Sequence, residues 1–326
     1  MNLEVIDDVA ELVHLHDQWT ELVDKIPTSS PFHSPEWLIT WWQHFGSGGL
    51  HVITFRTDRL VGLVPCFLHE WAGRRQLTLI GSGISDYLEP PILSEYRTAV
   101  IESLSQHLDE WTEWEVLNWQ DLSADSAFRS MAADCGLSLE SDAPCSLVSL
   151  TGSFEAYWLA RPGHLRQNTR RDRAKAESKV SMVFEVVEDA NDELLGSILD
   201  LHTARWKTHG LPGMVEANHS KEFLMEAGTA LGERDMLRIA MLRIDDEIGA
   251  AVVLLKRKTK LYNYLTAFDP AYAELGLGRS LLFECFRYAY AHGYTAWDFL
   301  RGEEPYKKWW GAEIMAKCRL VGTRTT

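Results

Sequence analysis

The chain is short of what a nucleic-acid binder, a zinc site or a disulfide frame would require. Lys and Arg number 32 against 47 Asp and Glu, for a net charge of -15. A general nucleic-acid binder needs a positive surface to neutralise phosphates, and anionic lipid would be repelled as well. The five cysteines (Cys66, Cys135, Cys145, Cys285, Cys318) are odd in number, dispersed and without a C-x-x-C pair, which reads as reduced thiols. The twelve histidines show no H-x-x-x-H or Cys/His ligand spacing, so no metal is implied. No Gly-x-Ser-x-Gly nucleophile turn occurs, so no serine nucleophile of that kind is marked. Apolar runs are short, Ala250 to Leu255 being typical of the longest, and no membrane span is expected. The N-terminus, MNLEVIDDVAELVHLHD, is acidic and has no signal-peptide h-region, so the cytoplasm is the expected location.

What is present suits a folded protein of two domains. The 326 residues are long for one core, 46% are hydrophobic, and thirteen tryptophans imply large cores or a roomy apolar groove. LHVITFRTDRLVGL, Leu50 to Leu63, aligns without gaps on LRIAMLRIDDEIGA, Leu237 to Ala250, with Arg56 on Arg243, Asp58 on Asp245 and Gly62 on Gly249. Each copy reads as strand, tight polar turn, strand. Both extend into three-stranded meanders, His51–Arg56, Leu60–His69 and Gln76–Ile80, then Leu237–Ile244, Glu247–Lys256 and Lys260–Ala267. The repeat predicts two similarly folded halves with a cleft between them, residues 1–152 and 153–326. The fold class is α/β (α+β), each half a mixed, largely antiparallel sheet flanked by helices.

After the second meander, Leu275-Gly276-Leu277-Gly278-Arg279 opens a helix predicted over Gly278–His292. Unpaired N–H groups and the positive end of the helix dipole attract phosphate there, and glycines permit close approach. The alternative is an ordinary tight helix entry. Residues 161–179 carry Arg161, Arg166, Arg170, Arg171, Arg173, Lys175 and Lys179 against Asp172 and Glu177. Arg166, Arg170 and Arg173 fall on one helical stripe, either a solvated face or a surface for a phosphate, sugar-acid or nucleotide-linked acceptor. His202, Arg205 and Trp206 share a helix face; the histidine could act as base and the tryptophan could wall an apolar channel, or all three could simply pack. Asp298, Arg301, Tyr306 and Lys307 cluster at the end of a strand, and Tyr264 lies on the last strand of the second meander.

SDYLEPPIL (Ser85–Leu93), LRQNTRRDRAKAE (Leu165–Glu177), LHTARWKTHG (Leu201–Gly210) and WDFLRGEEPYKKWWG (Trp297–Gly311) resemble the BioF2-like (CelD-like) acetyltransferase family of the GNAT superfamily. The ending also resembles the Fem-type peptidyltransferases, which are two linked GNAT-like domains. The resemblance implies tandem GNAT-like domains, the first on the acceptor side and the second binding an acyl-CoA donor at Leu275–Arg279. It implies an amine acceptor, an acidic residue at Asp86 near that acceptor with Tyr87 beside it, and a link to polysaccharide production. Ala273 stands where the usual phosphate loop has Gln or Arg. In the resulting mechanism Asp86 or His202 takes the acceptor's proton, Lys307 and backbone N–H groups stabilise the oxyanion, and Tyr306 returns a proton to the leaving thiolate. Asp298 completes the catalytic set; Tyr87, Arg166, Arg170, Arg205, Trp206, Tyr264 and Arg301 form the substrate set. A Fem-like aminoacyl-tRNA donor, acylation of a long-chain base, and a non-catalytic GNAT scaffold are the other readings.

Overall fold

The computed structural model describes residues 1–134, 136–189, 191–208, 210, 213–217 and 220–324. Among them no helix is long and apolar enough to cross a membrane. Twelve strands are described: β1 (Asn2–Ile6), β2 (Gly49–Arg56), β3 (Leu60–Trp71), β4 (Arg74–Leu79), β5 (Val116–Ser123), β6 (Ser138–Ser149), β7 (Met182–Val187), β8 (Leu237–Ile244), β9 (Glu247–Arg257), β10 (Lys260–Phe268), β11 (Ala296–Arg301) and β12 (Glu313–Thr323). The chain divides into two compact units, Met1–Pro144 with Met315–Thr326, and Cys145–Ile314. The division therefore falls inside β6, before the expected 152/153 boundary. Gly152, at φ 72°, is the turn that follows β6.

In the first unit β1 to β4 are successively antiparallel and β4 pairs in parallel with β5. The helix Arg97–Glu110 makes the crossover. Ser34 caps the helix Pro35–Phe45 by accepting from the Trp37 N–H at 3.3 Å, with Pro35 at the first helical position. The periodic stretch from Val9 to Ile26 forms two helices, Val9–His14 and His16–Lys25, that meet at Leu15.

The second unit repeats the plan. β7 to β10 are antiparallel, the helix Leu277–Ala291 crosses over, and β10 pairs in parallel with β11. The repeated hairpins both form, but their turns differ. Asp245 (φ 48°) and Asp246 (φ 74°) make a two-residue turn between Ile244 and Glu247, the left-handed pair that matches strand twist. In the first copy Arg56 pairs with Leu60 across three residues. The bulges shift in step, so Gly62 pairs with Phe55 while Gly249 is passed over.

A short helix, Phe154–Leu159, precedes the basic segment, which after Pro162 forms the helix Gly163–Glu177. The second buries the stripe Leu165, Thr169, Asp172 and Ala176. Helices Asp192–Thr208 and Ser220–Glu233 follow; His209, Leu211 and Pro212 lie outside the described residues, as does Cys135. Tryptophans supply the core: Phe286 stacks on Trp297 at 5.0 Å and on Trp310 at 5.1 Å, and Tyr157 closes the stack by donating to the Trp310 carbonyl at 2.7 Å.

Candidate active site

The parallel pairing of β10 with β11 runs only from Lys260–Tyr262 against Ala296–Asp298. Beyond it β10 continues to Phe268, with a register shift around Tyr264, while β11 ends in a strained turn. Leu300 has φ 59° and Gly302 φ 110°; a left-handed leucine costs about 1–2 kcal/mol and needs support. Asp298 gives it, accepting from the Leu300 N–H at 2.7 Å. Lys307 gives more. Its buried ammonium donates to the carbonyls of Arg301 (2.7 Å), Gly302 (3.2 Å) and Leu300 (3.4 Å) and pairs with Glu304 at 2.8 Å. An ammonium has three donors, so Lys307 is committed to the turn and Arg301 is drawn into it through its carbonyl.

The helices Asp192–Thr208 and Leu277–Ala291 both reach Phe268, at the end of β10. The Arg205 guanidinium lies 4.3 Å above its ring. On another side, a Cβ on Gly278 would come within 3.2 Å of the ring. Tyr306 packs edge-on against Phe299 at 5.8 Å. Burial draws the Arg205 pKa down, with Tyr306 opposing. Burial also pushes the Tyr306 phenol up to about 12, Glu304 adding to the rise and Arg205 opposing it. A phenol at that value hydrogen-bonds readily but yields its proton poorly to a thiolate, whose ordinary pKa is about 8.5.

The helix Leu277–Ala291 starts at Gly276 (φ 66°, ψ 36°) with no side-chain cap. Its first N–H groups are of the kind that bind anions. The two glycines have local reasons. Gly276 needs its left-handed φ and leaves room for Asp172, whose Oδ2 would lie 2.8 Å from an added Cβ; Gly278 leaves room for Phe268. Asp172 accepts from both Nε (2.7 Å) and Nη2 of Arg279, so Arg279 is held by a buried carboxylate. Lys175 donates to the Glu274 carbonyl at 2.5 Å and Lys179 to its carboxylate at 2.9 Å. Helix Gly163–Glu177 thus braces the loop.

His202 is buried, and its Nε2 accepts from the Trp206 indole N–H at 2.8 Å. That fixes the neutral tautomer with the proton on Nδ1, which has no partner among the described residues. Burial, aided by Arg205, lowers its pKa to about 4. With its Nε2 lone pair engaged, the ring holds Trp206 in this structure. Trp206 in turn packs on Gly213. Arg166 and Arg170 lie elsewhere in the second unit, lining a separate cavity.

Asp86 and Tyr87 belong to the first unit. Lys317, buried, donates to the Asp86 carbonyl at 2.7 Å, forms a close ion pair with Asp121 and sits 5.6 Å over the Tyr87 ring. Glu89 anchors the same loop, accepting from Ser126 Oγ at 2.9 Å and the Ser123 N–H at 3.1 Å; burial raises its pKa against these bonds. The sequence did not mark Asp172, Phe268 or Lys317. Asp172 had a signal, as the one acid on the stripe Leu165, Thr169, Asp172, Ala176; the other two had none.

Two meanders, each with a crossover helix and a strand in parallel, define a tandem GNAT-like protein of mixed α/β class. Residues 163–308 match the family model of the Acetyltransferase (GNAT) domain. No curated protein sequence matches the chain. Among solved structures, FemX superposes with a TM-score of 0.69 at 10% identity, over 99% of this chain and 98% of its own. L-PGS from Bacillus licheniformis gives 0.62 at 12% identity, over 95% and 92%. A tandem GNAT protein from the clavulanic acid biosynthesis pathway gives 0.51 at 13%, over 100% and 99%. At these identities the likeness is one of fold.

Proposed function

We propose that the protein is an N-acyltransferase that moves an acyl group from acyl-CoA to an amine acceptor by direct attack. The observation that carries this is the uncapped start of the helix Leu277–Ala291, which follows β10 where β10 and β11 have parted. The donor's phosphates would lie on the N–H groups of that first turn. The acceptor nitrogen attacks the thioester carbonyl, the C–N bond forms and the C–S bond breaks. Holding both reactants in place would supply much of the rate. Arg205, stacked on Phe268, is positioned to serve as the cation that Ala273 does not provide. Tyr306 would hydrogen-bond to the departing sulfur, whose proton then comes from solvent. Lys307 would act by shaping the turn. The base is assigned to Asp86, and Asp86→Asn should lower turnover while leaving donor affinity unchanged. Similarity to the BioF2-like family favours a sugar or sugar-nucleotide amine as acceptor.

One observation favours a second donor. The Asp172 carboxylate beside Gly276 is unwelcoming to a diphosphate, and FemX and L-PGS share the fold. An aminoacyl-tRNA donor would place no pyrophosphate there. Calorimetry with CoA, acetyl-CoA and palmitoyl-CoA separates the two. Micromolar binding of any of them, weakened at least tenfold in Arg205→Gln, supports acyl-CoA. Absence of binding by all three removes it and leaves aminoacyl transfer or a non-catalytic scaffold.

A further inference from the structure

We propose that the second unit carries a nucleoside-monophosphate site, separate from the acyl-transfer residues, on the outer face of the helix Gly163–Glu177. A cavity of about 330 Å³ opens there, with Trp158, Arg166, Arg170, Arg173, Glu177 and Phe283 on its walls. Its volume is at the lower end of small-molecule sites.

The charge is the first argument. Residues 161–179 hold seven basic against two acidic residues in a chain of net charge -15, and three of the seven, Arg166, Arg170 and Arg173, line this cavity. Arg166 and Arg170 are one helical turn apart, and like charges at that spacing repel. Arg166 Nε is buried with no partner among the described residues. Arg170 has no ion pair among the described residues either. A buried, unpaired guanidinium nitrogen calls for an anion, and two adjacent forks suit a phosphate's several oxygens.

The walls are the second argument. Arg173 is already held by Glu284 and, at 3.7 Å, by Glu177, and lies 4.8 Å over the Phe283 ring. It is a wall, not a free hand. Trp158 meets Phe283 edge-to-face at 4.9 Å and is half-buried. With the Phe283 ring covered by Arg173, the aromatic surface left for a planar base is that of half-buried Trp158, and the Glu177 carboxylate can accept from a ribose hydroxyl or an exocyclic amine. Inorganic phosphate alone would leave the aromatic wall unused, and a nucleoside without phosphate would leave the arginines unpaired. The inference does not depend on which acyl donor the protein uses.

The test is calorimetry of the full chain with AMP, UMP, adenosine and inorganic phosphate at low salt. AMP or UMP should bind at least tenfold more tightly than phosphate or adenosine. Arg166→Gln with Arg170→Gln should weaken nucleotide binding about a hundredfold with an unchanged thermal midpoint in its absence. Should the double variant fold poorly, Arg170→Gln alone, at an exposed position, should still weaken binding about tenfold. No nucleotide binding at millimolar concentration, affinity unaltered in the variants, or phosphate binding as tightly as AMP would each overturn the proposal. So would an oligoribonucleotide binding far more tightly than AMP with a steep salt dependence, which would mark an RNA-binding face instead.

Discussion

His202 and Lys307 show how a residue chosen for its chemistry can be engaged by its neighbours. The His202 lone pair accepts from Trp206 and its ring is buried, so it titrates as a buried imidazole does. Its pKa falls from 6.5 unfolded to about 4 folded. Stability from this group is therefore complete above pH 6.5 and is lost as pH falls toward 4, because the unfolded chain takes up a proton the folded one refuses. That depression corresponds to about 3 kcal/mol. His202→Gln keeps an acceptor for Trp206 but does not titrate, so its urea midpoint should fall less between pH 7 and pH 4.5 than the parent's. His51, also near 4 through burial and the neighbouring His107, should leave a residual slope in both. Acyl transfer should survive in His202→Gln within a few-fold; a loss of a hundredfold or more would return the base role to the imidazole. Lys307→Met tests the other residue. Orphaning its carbonyls costs about 1–3 kcal/mol each, so this variant should lose thermal stability along with activity. Full stability with lost turnover would instead make the ammonium a catalytic group.

At the scale of elements, the glycines of the donor loop distinguish sequence pattern from its cause. Gly276→Ala places a Cβ against Asp172 and forces a left-handed φ of 66° on alanine. A cost of about 1–2 kcal/mol for the backbone alone, with the Asp172–Arg279 pair disturbed, should appear as a lower thermal midpoint with or without donor. A variant that kept its midpoint and lost only donor affinity would show that the glycine serves the ligand. Much of this half was legible in the sequence. Alternation and turn residues marked both meanders, and the shared face of His202, Arg205 and Trp206 marked the helix that carries them. The turn after β11 was not, because Leu300 adopts φ 59°, a conformation leucine's own preferences argue against, held by Asp298 and Lys307 from two and seven residues away. The site was legible as residue types but not as partnerships. Asp172 with Arg279 and Phe268 with Gly278 are contacts between elements, and nothing local in the chain announces them.

Across the whole molecule the two halves exchange their last strands. β6 follows β5 in sequence, yet its Cys145–Ser149 segment pairs with β11; β12 follows β11, yet its Lys317–Thr323 segment pairs with β5. The correspondence extends to single groups. β5 and β11 each carry a left-handed residue near their end, Asp121 at φ 60° and Leu300 at φ 59°. Each turn is held by a buried lysine, Lys317 in the first unit and Lys307 in the second. A cut at the sequence repeat would therefore separate strands from their partners. Residues 153–326 would leave β11 without β6, exposing the backbone of a strand whose residues Ala296 to Leu300 are buried, an edge of the kind that aggregates. Residues 145–314 keep β6 with β11 and omit most of β12, whose pairing with β5 lies in the other unit. The shorter fragment, 145–314, should unfold cooperatively in urea by circular dichroism, and the longer one, 153–326, should not. Cooperative unfolding of 153–326 with a midpoint equal to that of 145–314 would mean the exchanged strand is dispensable and that each half folds from its own sequence. The opposite result would make the exchanged strand β6 a condition of folding, since residues 153–326 lack the segment Cys145–Ser149 that pairs with β11.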